Sequence, residues 1–209
     1  MQPELIETIL IAADGGVPLL PRHLARLQAS ARALDYRCDL AAIETDIRAA
    51  ASLLVTPGQH RLRLLLEPSG HRAIQAAPLP PLAPGQQVML APDMLDADEP
   101  LLRYKTTHRP WYAAAAQWLP AHPQVFDMVY INGRGELCEG SRSNLYLKLD
   151  GRWYTPPVSC GCLPGVQRAA LLEDGQARER VLPVALLREA EAIRLSNALR
   201  GWFDVALRD

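Results

Sequence analysis

The sequence predicts a mixed α+β (α/β) protein of two lobes, and three observations predict it. Short apolar runs bounded by turn residues recur from Leu5 to Leu207. Segments with helical spacing are interleaved among them, the pattern of sheets covered by helices. A proline-rich stretch at 77–86 and an acidic run from Asp93 to Pro100 interrupt both patterns, which places the expected lobes at 1–100 and 101–209.

Taken in order, Leu5 to Ala12 is apolar and β-branched enough for a strand, and Asp14-Gly15-Gly16 supplies a hairpin turn after it. Pro21 can open a helix, and Leu24, Leu27, Ala31 and Leu34 carry helical spacing through 21–36. A second amphipathic helix is expected at 40–54, before Pro57-Gly58. Arg61 to Leu66 reads as a strand that Pro68-Ser69-Gly70 turns into another. The run 77–86 (APLPPLAPGQ) reads as a stiff loop, Val88 to Ala91 as a short strand, and Asp93 to Pro100 as a crossing between the lobes. A helix is expected from Pro110 to Leu119. Phe126–Ile131 and Leu137–Leu149 flank Asn132-Gly133-Arg134-Gly135 as the two strands of a hairpin. Trp153-Tyr154 is a short strand, and Leu163-Pro164-Gly165 leads into a helix at 166–173. Ala190–Leu195 and Trp202–Leu207 are the last expected strands. No internal repeat is visible.

Composition removes several classes of function. At 209 residues, 49% hydrophobic and 22% charged, the chain has the make-up of an ordinary globular protein. A formal net charge of -1 argues against nucleic acid or an anionic membrane as a partner. No basic and apolar leader opens the sequence and no apolar run is long enough to span a bilayer. Cysteines at 38, 138, 160 and 162 form no disulfide framework, and the expected setting is a reduced cytoplasm. Cys160-Gly161-Cys162 lacks zinc spacing and the five histidines show none, so no metal site is expected.

The chemistry starts from a scarcity. Lysine stands only at 105 and 148, and the other twenty of the 22 basic residues are arginine. Lysine can lose its proton and attack a carbonyl, whereas guanidinium stays charged. Lys148 sits in the alternating run Leu145–Leu149 before an Asp150-Gly151 turn and fits a surface strand position. Lys105 is then either a reactive amine or a second surface lysine. The Pro164-Gly165 turn leaves unpaired amides at the helix start of Val166-Gln167-Arg168, which suits an anion, although an unoccupied junction is the commoner case. Ser196-Asn197-Ala198 is a polar small-residue loop beside an apolar strand. Arg26 projects from the first long helix, where most arginines are solvated. Glu139 lies in a strand-like stretch, where an acid needs a partner or an exposed edge.

Five segments carry a resemblance that runs over essentially the whole chain: HLARLQASARAL (23–34), LLRYKTTHRPWY (101–112), FDMVYINGRGELCEGSRSNLYL (126–147), YTPPVSCGCLPGVQR (154–168) and AEAIRLSNALRGW (190–202). In this order and spacing the chain resembles the fold-type IV pyridoxal phosphate enzymes, the D-amino-acid aminotransferase-like fold, with a shortened N-terminal lobe. KTT, the pairing of Glu139 with Asn144, and NALRGW resemble the 4-amino-4-deoxychorismate lyase branch.

The resemblance implies a lyase that converts 4-amino-4-deoxychorismate to 4-aminobenzoate and pyruvate in folate synthesis. Branched-chain or D-amino-acid transamination is the alternative, and a cofactor-free binding homologue a third. It implies pyridoxal 5′-phosphate as cofactor, with Lys105 as Schiff-base lysine and acid/base, and Glu139 paired with the pyridinium nitrogen. Arg26 is implied as a phosphate ligand, with the amides of Val166 and Gln167 and the loop at Asn197 and Ala198. Gln167 stands where many aminotransferases carry threonine, so the contact there is expected from backbone. Thr8 is implied near the site, while charge alone suggests Arg109 and Arg200 for substrate carboxylates. A small amino-acid-like substrate, a homodimer and a separate aminodeoxychorismate synthase are the implied partners.

Overall fold

Strand β1 (Leu5–Ile11) explains the first unit, because its two-residue period puts Leu5, Glu7, Ile9 and Ile11 on one face. In the computed structural model, which describes residues 2–54 and 57–208, β1 pairs antiparallel with β2 (His60–Leu66), which pairs with β3 (Arg72–Pro78). Leu5, Ile9 and Ile11 pack with Leu62, Leu64 and Leu66 against Leu20, Leu27 and Ala31 of α1 (Leu20–Ala33) and Ile43 and Ile47 of α2 (Leu40–Ser52). Asp39 caps α2 by accepting from the Ala42 amide at 3.1 Å. Helix α1 ends three residues before the expected 36. Asp35 turns to a left-handed φ of 59°, and the Tyr36 amide closes back on the Ala31 carbonyl at 2.8 Å.

This first unit runs to Pro81 and takes back the segment Tyr104–His108, whereas Leu82–Arg103 and the chain from Arg109 onward form the second. The returning segment is bound to the edge of β1. The Ile6 amide donates to the Lys105 carbonyl at 2.7 Å, the Thr107 amide to the Glu4 carbonyl at 2.9 Å, and Leu5 forms a bridge with Thr106.

The second unit is built on a mixed sheet, eight-stranded among the described residues. Its strands are β4 (Gln87–Leu95), β5 (Val125–Asn132), β6 (Leu137–Gly140), β7 (Asn144–Leu149), β8 (Arg152–Thr155), β9 (Arg178–Glu179), β10 (Ala192–Asn197) and β11 (Gly201–Leu207), in the order β6-β5-β4-β11-β10-β7-β8-β9. Leu145, Leu147, Leu195, Val129 and Leu137 are wholly buried in its largest core cluster. The helices are α3 (Ala113–Trp118), α4 (Val166–Glu173) and α5 (Leu186–Glu189). The mixed α+β class expected from the pattern is the class observed.

Several expected elements change in detail. The strand read through 137–149 is two strands, because Ser141–Ser143 leave the ladder to bind the carboxylate of Asp127. Strand β4 continues to Leu95 past Pro92, which falls in a register shift between Leu90 and Met94 where no ladder amide is needed. The helix expected over 110–119 is a 3-10 turn at Pro110–Tyr112, then α3, then a second 3-10 turn at Leu119–Ala121.

Candidate active site

In the second unit the centre of interest is Glu139 at the end of β6, only 4% exposed. A carboxylate so buried needs donors, and Tyr112 and Asn144 are among its partners. The Tyr112 hydroxyl donates to Oε1 at 2.8 Å, and the Asn144 amide, at the start of β7, donates to Oε2 at 3.2 Å and to the Leu163 carbonyl at 3.0 Å. Burial first, then the charge of Glu139, push the Tyr112 hydroxyl well above its ordinary pKa, so it remains a donor. Arg109 lies over the Tyr112 ring, 4.5 Å from its centroid, and donates through Nη2 to the Ser141 carbonyl at 2.8 Å.

The turn that carries Glu139 into β7 is organised by Asp127, fully buried on β5. Its Oδ1 accepts from the Met128 and Ser141 amides and the Ser141 hydroxyl at 2.9, 2.9 and 2.6 Å. Its Oδ2 accepts from the Arg142 amide and Ser143 hydroxyl at 3.0 and 2.6 Å. Gly140 is required there, since an added Cβ would lie 2.3 Å from Asp127 Oδ2.

Helix α4 begins after Gly165 with no side chain capping its first turn, so its leading amides lack intrahelical partners. Those amides belong to Val166, which is buried, and Gln167, which is half-buried. Gly165 approaches the Glu139 brace closely, because a Cβ on it would stand 2.0 Å from Asn144 Oδ1. The loop joining β10 to β11 is held by Asn197, whose Oδ1 accepts from the Leu199 and Arg200 amides at 3.1 and 3.0 Å. Its Nδ2 donates to the Arg142 carbonyl at 3.2 Å. Partial burial, then the neighbouring charge of Arg142, lower the Arg200 pKa below the usual guanidinium value.

In the first unit, Lys105 is half-buried on the segment bound to β1. Arg26, on α1, donates from Nε to Glu7 Oε1 at 2.9 Å and from Nη2 to Glu7 Oε2 at 2.6 Å. His23, one helical turn earlier, places Nδ1 2.6 Å from the same Oε2. Burial would push the Glu7 carboxyl up, but the Arg26 charge and the bonds from His23 and Arg26 outweigh it and bring the pKa to about 2. Thr8 alternates to the other face of β1 from Glu7, opposite Arg63 in the ladder.

The structure thus brings Glu139 together with Tyr112, Asn144 and Gly165, and separately brings Arg26 together with Glu7 and His23. Sequence reading passes over Tyr112, Asp127, Glu7 and His23. A signal exists for the two acids, each standing inside an otherwise apolar strand, LIETILI and VFDMVYIN. Among the described residues no cluster of three His, Cys, Asp or Glu could hold a metal, and no helix is long and apolar enough to cross a membrane.

Comparison with known proteins defines the class. The family model for class IV amino-transferases matches residues 4–207. The chain belongs to this family, a family of pyridoxal phosphate-dependent enzymes. A Schizosaccharomyces pombe protein named "putative aminodeoxychorismate lyase" is 29% identical over 206 residues, covering 95% of this chain and 87% of that one. Among solved structures, a "putative amino-acid aminotransferase" from Mesorhizobium loti superposes with a TM-score of 0.91 at 36% identity, over 99% of this chain and all of the other. The 4-amino-4-deoxychorismate lyase of Pseudomonas aeruginosa gives 0.80 at 26% identity, over 99% of this chain and 83% of the other.

The residues present fit the cofactor. A pyridine nitrogen calls for a buried, braced carboxylate, which Glu139 is. A phosphate calls for uncapped amides at a helix start, approached over a residue without a side chain, which Gly165 and α4 provide.

Proposed function

We propose that the protein is a lyase converting 4-amino-4-deoxychorismate to 4-aminobenzoate and pyruvate. The observation that carries this reading is the Glu139 carboxylate, 4% exposed and held by Tyr112 and Asn144. The family, the KTT and NALRGW segments, and the two lyase relatives support it.

Lys105 would hold the cofactor through its aldehyde carbon, and Glu139 would pair with the ring nitrogen. Arg26, the Val166 and Gln167 amides, and the loop at Asn197 and Ala198 would hold the phosphate. Bound there, pyridoxal phosphate supplies an electron sink for the carbanion left when a proton leaves the amine-bearing carbon. The Lys105 amine would take that proton and return one to the enolpyruvyl methylene as the ether C–O bond breaks. Atoms balance without water, because pyruvate leaves with the ether oxygen and the ring becomes aromatic. Tyr112 and Asn144 would hold the Glu139 carboxylate in one orientation throughout. Arg109 and Arg200 would each meet one of the substrate's two carboxylates, and Thr8 would line the site. A cytoplasmic homodimer, supplied by a separate synthase, completes the proposal.

One observation favours a second reading. The Mesorhizobium loti relative, at 36% identity over the full chain, carries an aminotransferase name, so transamination of a branched-chain or D-amino acid stands behind the lyase. With the family established, the cofactor-free reading is set aside. Incubation with 4-amino-4-deoxychorismate decides, with 4-aminobenzoate followed by fluorescence and pyruvate by a coupled assay. Equal amounts of both products, absent in Lys105→Ala, support the lyase. Conversion to the pyridoxamine form by common amino acids, with no 4-aminobenzoate, reverses the order.

A further inference from the structure

We infer that Glu7, steadied by His23, is a positioning residue that sets the guanidinium of Arg26 for the cofactor's phosphate. The inference rests on the reading of Arg26 as a phosphate ligand and goes beyond it, by naming what makes that arginine competent.

Glu7 lies on the helix-facing side of β1, where its neighbours Leu5 and Ile9 are core residues, and it is 2% exposed. A carboxylate there is costly unless it does something an apolar side chain cannot. It meets Arg26 side-on. Nε bonds Oε1 and Nη2 bonds Oε2, a two-point contact that fixes the plane of the guanidinium as well as its place. Glu7 meets the Nε–Nη2 edge. The Nη1–Nη2 edge, about 120° away by the trigonal geometry of the group, is directed elsewhere, and it is the edge suited to a tetrahedral oxyanion.

His23 completes the arrangement. It stands three residues before Arg26 on α1, hence on the same helix face, and it is 1% exposed with Nδ1 on Glu7 Oε2. Its Nε2 is buried without a hydrogen-bond partner, so the ring is not there to satisfy itself. What it achieves is to hold one carboxylate oxygen from a second direction. With its pKa brought to about 2, Glu7 is ionised at neutral pH. Arg26 therefore arrives at the phosphate already ordered, and ordering a long side chain in advance removes an entropy cost from binding.

The opposite role is chemically possible, since a carboxylate can also compete with a phosphate for one arginine. Titration of the apoprotein with pyridoxal phosphate and with pyridoxal, which has the aldehyde and ring but no phosphate, separates the two. The visible absorption of the lysine-bound aldehyde is the readout. Wild-type protein is expected to prefer the phosphorylated form. Glu7→Gln is expected to lower that preference roughly 10- to 100-fold, the range that outer partners contribute at other ligand sites, with pyridoxal affinity changed less than about twofold. Glu7→Asp, which keeps the charge but shortens the reach, is expected to fall between them and stands in if the Gln variant does not fold. In an Arg26→Met background, Glu7→Gln is expected to add nothing.

Equal weakening of both aldehydes would reduce Glu7 to a structural residue and overturn the inference. Unchanged or tighter pyridoxal phosphate binding in Glu7→Gln would overturn it in favour of competition. A wild-type protein that takes up both aldehydes with no preference would overturn it while leaving the cofactor reading intact. Uptake of neither would remove both.

Discussion

Asn144 ties the Glu139 carboxylate to the loop that begins α4: its amide nitrogen is 3.2 Å from Glu139 Oε2 and 3.0 Å from the Leu163 carbonyl. One side chain therefore links the residue proposed for the ring nitrogen to the turn proposed for the phosphate. Both ends of a planar cofactor are then referenced to the same group, which suits a site that must hold a ring flat and in one orientation.

Glu139→Gln keeps the shape of this brace and removes the charge. The expected outcome is retained cofactor uptake with the rate of 4-aminobenzoate formation lowered on the order of 10²–10³-fold. Steady-state kinetics beside a cofactor titration checks both halves. A variant with full activity would separate Glu139 from the reaction.

Gly165→Ala tests the phosphate end. The backbone there is ordinary, φ −65° and ψ 141°, so any residue could adopt it and the effect is steric alone. A Cβ would meet Asn144 Oδ1 at 2.0 Å, and either α4 or Asn144 must move. The expected cost is about 1–3 kcal/mol of stability, read by urea denaturation, with weaker pyridoxal phosphate uptake. Unchanged uptake would show that the turn is not part of the phosphate site.

Asp127→Asn probes the turn beneath Glu139. The new amide would face either the Arg142 backbone amide or the Met128 and Ser141 backbone amides as donor against donor, while the serine hydroxyls could turn to accept from it. The expected loss is about 3 kcal/mol, or roughly 6–12 °C in Tm for a chain of this size. Calorimetry measures it. A change in Tm below about 2 °C would mean the Ser141–Ser143 turn holds without the charge.

The Glu7 cluster carries an acid dependence. The folded pKa, about 2, lies below the ordinary carboxylate value, 4.5, so the folded state binds the proton less readily than the unfolded chain. The resulting stability is full above about pH 5 and is lost as pH falls from there toward 2. Its size is about 3 kcal/mol, since a tenfold change in proton affinity between the two states is worth about 1.4 kcal/mol. Wild type and Glu7→Gln, compared by denaturant melts from pH 6 to pH 3, are expected to converge as the solution becomes acidic. A constant difference across that range would show that Glu7 contributes no proton linkage.

Much of this architecture was legible in the residues and some was not, for physical reasons. The apolar run at Leu5, the Asn132–Gly135 turn and the Pro164-Gly165 start each carry a local signal. Strand, hairpin and helix followed them. Lys105 stood out because arginine elsewhere has nearly replaced lysine. The break at Ser141–Ser143 was hidden because its cause, Asp127, lies 14 to 16 positions earlier and acts through space. Strand β9, two residues beside β8, is too short to show a period. The partners of Glu7 had no local signal, since only the packing of α1 on β1 brings Arg26 and His23 to it. The Glu139 carboxylate was visible as an acid in need of a partner. That Tyr112 is one of its partners, 27 residues away, was not.

The central claim is that the amine of Lys105 holds the cofactor. Borohydride reduction of the protein after incubation with pyridoxal phosphate, followed by digestion and mass mapping, tests it directly. With only two lysines in the chain the result is binary. The account predicts one pyridoxyl group per chain, on the peptide containing Lys105, and none on Lys148. Label on Lys148 alone, or no label on a folded protein saturated with cofactor, would contradict it.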